Sequence, residues 1–415
     1  MTALRWNALR REGSRLAAVL MSAWASLSLA QAPPALSGPS SVMGQIDADR
    51  AVEAPAELAQ LPWYEQVQRW SAALRRDHGL TLGADYNALY QHATRSPEQD
   101  DAAGNVLRFY GTWTLVNRGA ADQGSLVFKA EYRGRLGTSL SPQALGPTIG
   151  YAGLTAVPFS DAGGLLTNFY WTQAFADNRF AFIAGVVDVT DYLDVYALIN
   201  PWTEFNNLSF STNPTIPAPN QGLGAATRWM FTPNTYVVAG LADANGDPHQ
   251  PQDFFKSFFD VREYFYHAEV GWISSWEKRY SDNVHVTVWG QDPRTAAGVP
   301  RGKGVALSAS TTLEERWTPF FRAGYSDGGG AFVDRMVSTG LGYRLNDRND
   351  YIGFGANWAR APGSSENQYT FEAYWRWQPV KHLQIVPDIQ LILNPANNPS
   401  MGSLWVAGLR LRAAL

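Results

Sequence analysis

From residue 80 to the C-terminus the apolar residues of this chain recur at every second position, and that periodicity restricts its fold more than any other feature. In VFKAEYRGR, Phe128, Ala130 and Tyr132 point one way, and Lys129, Glu131 and Arg133 the other. In QYTFEAYWRW, Tyr369, Phe371, Ala373, Trp375 and Trp377 oppose Gln368, Thr370, Glu372, Tyr374 and Arg376. Glu269 in YFYHAEVGW and Arg322 in WTPFFRAGY sit on polar faces of the same kind. Such alternation marks strands with one apolar and one polar face. Near the end, HLQIVPDIQLILNPANNP sets Leu383, Ile385, Ile389, Leu391 and Leu393 against Gln384, Asp388 and Gln390. Pro387 removes a ladder hydrogen bond there, so a β-bulge that re-aims Asp388 is expected beside it.

Runs of alternation bounded by turn residues predict sixteen strands. They lie near 82–91, 107–117, 124–134, 165–175, 179–188, 222–231, 234–242, 263–274, 283–290, 303–312, 316–325, 331–345, 350–360, 368–377, 382–393 and 401–415. The stretch 147–156 is placed in a loop. Connections after even-numbered strands are short, and those after odd-numbered strands are mostly longer, above all 135–164 and 189–221. Short turns at one end and long loops at the other are the layout of an outer-membrane barrel. An even count puts both termini on the short-turn, periplasmic side. Trp and Tyr at the ends of the apolar face fit interfacial girdles. A soluble sandwich or propeller shares the period of two, but its polar face would lean on Lys, Glu and Thr. This chain has five Lys against 28 Arg. The expected fold is an all-β, closed antiparallel transmembrane barrel of about sixteen strands, wide enough for a water-filled lumen.

The first thirty residues are a separate object. Arg5, Arg10, Arg11 and Arg15 precede an apolar run, Leu16–Leu29, and Ser28-Leu29-Ala30 fits a small-x-small cleavage site. This reads as a secretory signal peptide; as a membrane anchor the run falls short of spanning length. Its removal takes away four Arg and one Glu, moving the formal net charge from −4 to −7. Residues 31–60, rich in Pro, Ala, Ser and Gly, read as a flexible leader. Pro62, the recurrence Trp63, Val67, Trp70, Leu74, the basic pair Arg75-Arg76 and Gly79 predict an amphipathic helix over 63–78. The segment 31–80 is thus expected on the periplasmic side, with the helix beneath or inside the barrel mouth, and 81–415 in the membrane.

Composition excludes some functions. No cysteine means no disulfide and no Cys-based metal site. The negative balance disfavours nucleic acid as a partner. No G-x-S-x-G elbow and no phosphate-cradling loop is present.

The run QYTFEAYWRWQPVKHLQIVPDIQLILNPANNPS, 368–400, followed by WVAGLRLRAAL, 405–415, resembles the C-terminal end of the carbohydrate-selective, OprB-like porins. NFYWTQAFADNRFAFIAGVVDVTDYLD, 168–194, is similar to a strand, turn and strand of the same family. The resemblance implies an outer-membrane channel for passive diffusion of small sugars, built as a sixteen-stranded single-chain pore without a cofactor. Outer-membrane barrels usually end in Phe; this chain ends in Leu415, which suggests less efficient recognition by the insertion machinery. A barrel enzyme and a porin for another small solute stay open as alternatives, as does association into homo-oligomers.

Selectivity in a pore comes from its diameter and from polar groups on its wall. The wall candidates are Lys129, Glu131, Arg133, Glu269, Arg322, Glu372, Arg376, Gln384, Asp388, Gln390, Arg410 and Arg412. The loop 189–221 adds Asp191, Tyr192, Asp194, Tyr196, Asn200, Trp202, Glu204, Phe205, Asn206 and Asn207. A long loop of this kind is usually functional or disordered, and its aromatic content argues against disorder. It is expected to fold inward and narrow the pore. Mixed signs argue against a filter built as a ring of one charge. Asp188, Asp191 and Asp194 lack the Gly and Glu spacing of a calcium loop. His267, Glu269 and His285 read as hydrogen-bonded wall groups rather than metal ligands. Ser308 and Ser310 share the polar face with His285, a coincidence that period two makes common.

Overall fold

The computed structural model describes residues 36–52, 61–346 and 349–415. The signal peptide read at 1–30 lies outside them. Sixteen antiparallel strands close into one barrel in sequence order, with β1 returning to β16. They are β1 (Leu80–Ala93), β2 (Asp101–Val116), β3 (Gly124–Arg135), β4 (Gly163–Phe175), β5 (Phe180–Val187), β6 (Gly222–Met230), β7 (Thr235–Asp243) and β8 (Tyr264–Ile273). Then follow β9 (Asn283–Gln291), β10 (Gly302–Ser310), β11 (Trp317–Gly328), β12 (Arg335–Arg344), β13 (Tyr351–Arg360), β14 (Gln368–Val380), β15 (Leu383–Leu393) and β16 (Ser403–Ala414). Each coincides with a strand read from the alternation, and 147–156 is not a strand.

The period of two becomes an inside and an outside. Leu107, Phe109, Val270, Val286, Phe321, Phe354, Ile389 and Leu409 stand exposed around the outer surface. At the short-turn rim this surface ends in Trp113, Trp229, Trp272, Trp317, Trp375 and Trp377; toward the long loops it carries Tyr132, Tyr266, Tyr325 and Trp405. No helix among the described residues is long and apolar enough to cross a membrane. The strands do so instead, because closure pairs every strand edge. Register is strongly specified. A slip of one residue would turn Glu372, Asp388, Arg410 and Arg412 outward, and each Arg costs about 2–4 kcal/mol at the bilayer midplane.

The seam is complete to the last residue. Asp85 to Ala93 pair with Ala414 to Val406. Leu415 donates its N–H to the Ala84 carbonyl (2.9 Å) and accepts the Ala84 N–H (3.3 Å). Its side chain points away from the barrel interior, 76% exposed.

Two expectations need correction. No bulge lies at Pro387. Tyr374↔Asp388 and Trp377↔Ile385 share one register across it, and pairing with β16 runs straight through Pro387↔Leu409. The missing N–H interrupts the β14 ladder only between those two pairs, and the irregularity falls at Trp377/Val380, by the turn. Asp388 faces inward through alternation alone. Second, the stretch read as a flexible leader contains a helix. Val42–Ala51 form a helix, α1, capped by Ser41, whose Oγ accepts the Gly44 N–H (3.1 Å). Its apolar residues Val42, Met43 and Ile46 pack inside the barrel against an apolar sector that includes Tyr110, Val127, Tyr170 and Ile183. Those wall positions are inward-facing yet apolar, and α1 is what covers them.

A further helix, α2, spans Pro62–Ala73 and runs on as a π turn, Leu74–His78, to Gly79 at φ 70°. Only Tyr64 of α2 is buried.

Candidate functional site

The lumen is occupied mainly by the chain between β5 and β6. Asp188 pins both ends of this loop. Its carboxylate accepts the Thr190 N–H (3.0 Å) and, at the far end, the Gln221 amide (2.6 Å). Asn200 and Asn207 set the turns between: Asn200 Oδ1 accepts the Trp202 N–H (3.0 Å), and Asn207 Oδ1 caps α4, Leu208–Ser211, through the Ser209 N–H (2.9 Å). Tyr196, Phe205 and Phe210 form an aromatic cluster with Phe320 and Tyr374 of the wall. The wall is shaped to receive it. A Cβ at Gly355 would meet the Phe210 ring at 2.6 Å, so only a glycine lets the loop lie flush there.

Most of the predicted wall residues hold this loop. Glu372 accepts the N–H groups of Asn206 (2.7 Å) and Asn207 (3.1 Å). Asp388 accepts the Asn206 amide (2.9 Å), and Gln390 Oε1 the Asn207 amide (2.9 Å). Arg410 donates to Asn206 Oδ1 and to the carbonyls of Pro201 (2.7 Å) and Glu204 (2.7 Å). Arg322 pairs with Asp194, donates to the Phe210 carbonyl (3.2 Å) and stacks on Tyr196 at 4.6 Å. Glu269 accepts the Asp194 N–H (2.8 Å), the Thr287 hydroxyl (2.7 Å) and the Tyr236 hydroxyl (2.8 Å). Arg376 and Tyr374 both bind Glu204. Lys129 lies 3.8 Å from Asp191 and 3.7 Å from Glu131, which also accepts from Arg133 Nε (2.7 Å). Gln384 donates to Gln378 Oε1 (3.1 Å).

Two more segments enter the lumen. The loop between β3 and β4 carries α3, Pro142–Thr148, and Tyr151. The Tyr151 hydroxyl donates to Asn207 Oδ1 (2.8 Å), and Gln390 Nε2 donates to the Thr155 carbonyl (2.9 Å). From the other side comes α1. Arg412 donates to both carboxylate oxygens of Asp49 at 2.7 Å and, through Nε, to Asp85 (2.9 Å). Asp85 also accepts Arg108 Nε (2.7 Å), and the Arg108 guanidinium lies 3.8 Å from the centre of the Trp202 ring. Strand residues 85, 108 and 412 thereby join α1 to the loop.

Open space remains toward the short-turn rim, as a cavity of about 610 Å³. Of the predicted candidates it touches Glu204, Arg376 and Gln384, with Asn200 beside them. The rest of its lining was not singled out from sequence: Asp47 and Asp49 of α1, Arg279 and Tyr280 of the β8–β9 turn, and Arg344, Asn349 and Tyr351. Alternation cannot flag residues on turns or on a helix read as leader; Arg344 and Tyr351 are strand residues, at the short-turn ends of β12 and β13. Composition held one signal, the aromatic and basic crowding of SSWEKRYSD in that turn.

Charges off the strands respond to this burial. Burial pushes the Asp191 carboxyl up to about 6, against the pull of Lys129. Burial would also raise Asp194, but Arg322 and then His285 (3.1 Å) outweigh it and hold the carboxyl below its usual range. Asp47 is raised by burial, with Arg50 and Arg279 opposing. The three aspartates 188, 191 and 194 turn to different partners, and no cluster of three or more His, Asp or Glu suited to a metal occurs among the described residues. Ser308 pairs with His285 across the ladder, and His285 contacts Asp194. Yet among the described residues neither the Ser308 hydroxyl nor His285 Nδ1 has a hydrogen-bond partner, so no Ser–His bond links them.

Comparison with known proteins agrees with this architecture. A family model described as carbohydrate-selective porin, OprB family, matches residues 126–291 and 304–415. The high-pH structure of Pseudomonas putida OprB aligns with a TM-score of 0.68 at 13% identity, covering 88% of this chain and 99% of that one. Its low-pH structure gives 0.50 at 13% identity over 88% and 100%. A mutant porin of Rh. blastica gives 0.50 at 13% identity over 81% and 100%. At these identities the structural likeness concerns the fold. No curated protein sequence matches the chain.

Proposed function

Because this chain belongs to the OprB family of carbohydrate-selective porins and forms an outer-membrane channel for sugar diffusion, we propose that its β5–β6 loop, rather than its strand wall, decides which sugars pass. One observation carries this reading: the inward charges Arg322, Glu372, Asp388 and Arg410 are all engaged by loop atoms. A permeating sugar therefore meets the loop and the residues left facing the cavity. Glu204, Arg376, Gln384, Asn200 and Asn349 offer donors and acceptors for hydroxyl groups, and Tyr280 and Tyr351 offer ring faces for C–H surfaces. Both charge signs border the space, which suits neutral polyhydroxyl solutes better than a single class of ion.

Liposome swelling with a graded series of sugars and with small anions tests this. The Arg376→Ala variant leaves the Glu204 carboxylate to Tyr374 alone and is expected to raise the rates for larger sugars most. Swelling by anions alone, with no sugar admitted at any size, would overturn it. The N-terminal layout belongs to the same reading: residues 1–30 are cleaved on export, 31–80 enter from the periplasmic side with α1 lodged in the lumen, and 81–415 form the barrel. N-terminal sequencing of the purified protein is expected to begin at Gln31.

A further inference from the structure

Among the described residues, the apolar stripe of α2 stays largely uncovered. Trp63 is 55% exposed, Val67 44% and Trp70 56%. At about 100° per residue, these three and Leu74 fall within about 60° of one another around the helix axis. Tyr64 and Ser71 lie roughly a quarter turn away, and Tyr64 is the side that touches the barrel: its hydroxyl meets His382 Nε2 at 2.9 Å and the rings cross edge to face at 5.3 Å. Glu65 and Arg69, paired at 3.2 Å, lie on the far side.

The other end of the helix is tied to the lipid-facing girdle. Trp113 Nε1 donates to the His78 carbonyl (3.1 Å), and Arg118 donates to the Asp77 carbonyl (3.0 Å). The helix therefore runs along the rim from the β14–β15 turn to the end of β2. One side faces the barrel, the polar side faces away, and the tryptophan stripe turns at right angles to the barrel contact. A stripe of Trp and Val on a helix whose last turn carries Arg75 and Arg76 and whose end is bonded to a girdle Trp is the pattern of a helix lying in a membrane interface.

We infer that residues 62–78 are an interfacial anchor, with Trp63, Val67 and Trp70 immersed in the acyl–headgroup boundary of the inner leaflet and the basic last turn set against its anionic headgroups. The anchor is distinct from the solute path, and its failure would leave the proposed function standing.

Because the chain has no cysteine, single labels can be placed without background. Val67→Cys and Arg69→Cys proteins carrying a nitroxide are reconstituted in phosphatidylethanolamine–phosphatidylglycerol vesicles formed in the presence of a water-soluble nickel chelate. Heat-modifiable gel mobility confirms that each barrel is intact. The label at 67 is expected to be several-fold less accessible to nickel, and more accessible to oxygen, in vesicles than in detergent, while the label at 69 stays open to nickel. Equal nickel access at both positions would overturn the anchor. Spin–spin broadening at 67 that grows with protein-to-lipid ratio would also overturn it, by assigning the stripe to a second copy.

Discussion

Replacing Arg322 by Met keeps most of the side chain's bulk and removes its charge. Arg322 is fully buried, and its guanidinium links Asp194 to the carbonyls of Phe210 and Thr212, so one side chain ties three points of the β5–β6 loop to β11. In Arg322→Met, Asp194 keeps only His285 and loses its fixed cation. Breaking a buried pair by removing one partner costs about 3–5 kcal/mol, and each 1.4 kcal/mol is about tenfold. Departures of the loop from its seat should therefore become roughly a hundred- to several-thousand-fold more frequent. Single-channel recordings in planar bilayers would show this as added current noise and a higher mean conductance, and liposome swelling would admit larger sugars. A double-mutant cycle with Asp194→Asn isolates the pair. A coupling of about 1 kcal/mol or more is expected, because the residues touch. Wild-type noise and size limit in Arg322→Met, or strict additivity in the cycle, would refute the claim that this contact holds the constriction.

Asp191 makes the loop sensitive to pH. Its folded-state value, about 6, lies above the ordinary carboxylate value of 3.8, so its favourable contribution is full below 3.8 and is lost as pH rises through 6. The shift corresponds to up to about 3 kcal/mol; current noise should rise between pH 4 and pH 7 in the native protein and rise less over that range in Asp191→Asn. Asp49→Ala leaves Arg412 with Asp85 alone and should loosen α1, raising conductance measured in planar bilayers while heat-modifiable mobility still reports a closed barrel. Trp202→Leu removes the ring under Arg108, a contact worth about 1–2 kcal/mol, and should broaden the spread of single-channel conductances without abolishing insertion.

The strands were legible because each carries its own evidence. Lys129, Glu131 and Arg133 alternate with Phe128, Ala130 and Tyr132 whatever the rest of the chain does. Closure followed from their even number and the asymmetry of the connections. The partners of the wall residues were not legible, since Glu372 binds N–H groups 165 and 166 positions away and a backbone donor leaves no trace in residue type. The helix α1 was hidden for a different reason. Its ten residues, VMGQIDADRA, are too few for a clear helical period, and they sit in a stretch whose Pro, Ala, Ser and Gly suggest coil. Their apolar counterpart was visible as Val127, Tyr170 and Ile183 on a face otherwise expected to be polar. Pro387 misled because a single missing donor was read as a displaced register, whereas the flanking pairs are strong enough to hold it.

The arginines of the final strand have a consequence for the order of assembly. Arg410 grips the β5–β6 loop and Arg412 grips α1, and both belong to β16, the strand whose pairing with β1 closes the barrel. Until β16 takes its place, α1 lacks the guanidinium that holds Asp49, and the β5–β6 loop, tied elsewhere by Arg322 and Arg376, lacks its hold on Asn206. Sealing the wall and fixing the interior are then coupled: the strand that closes the cylinder also sets the last pins of its sieve.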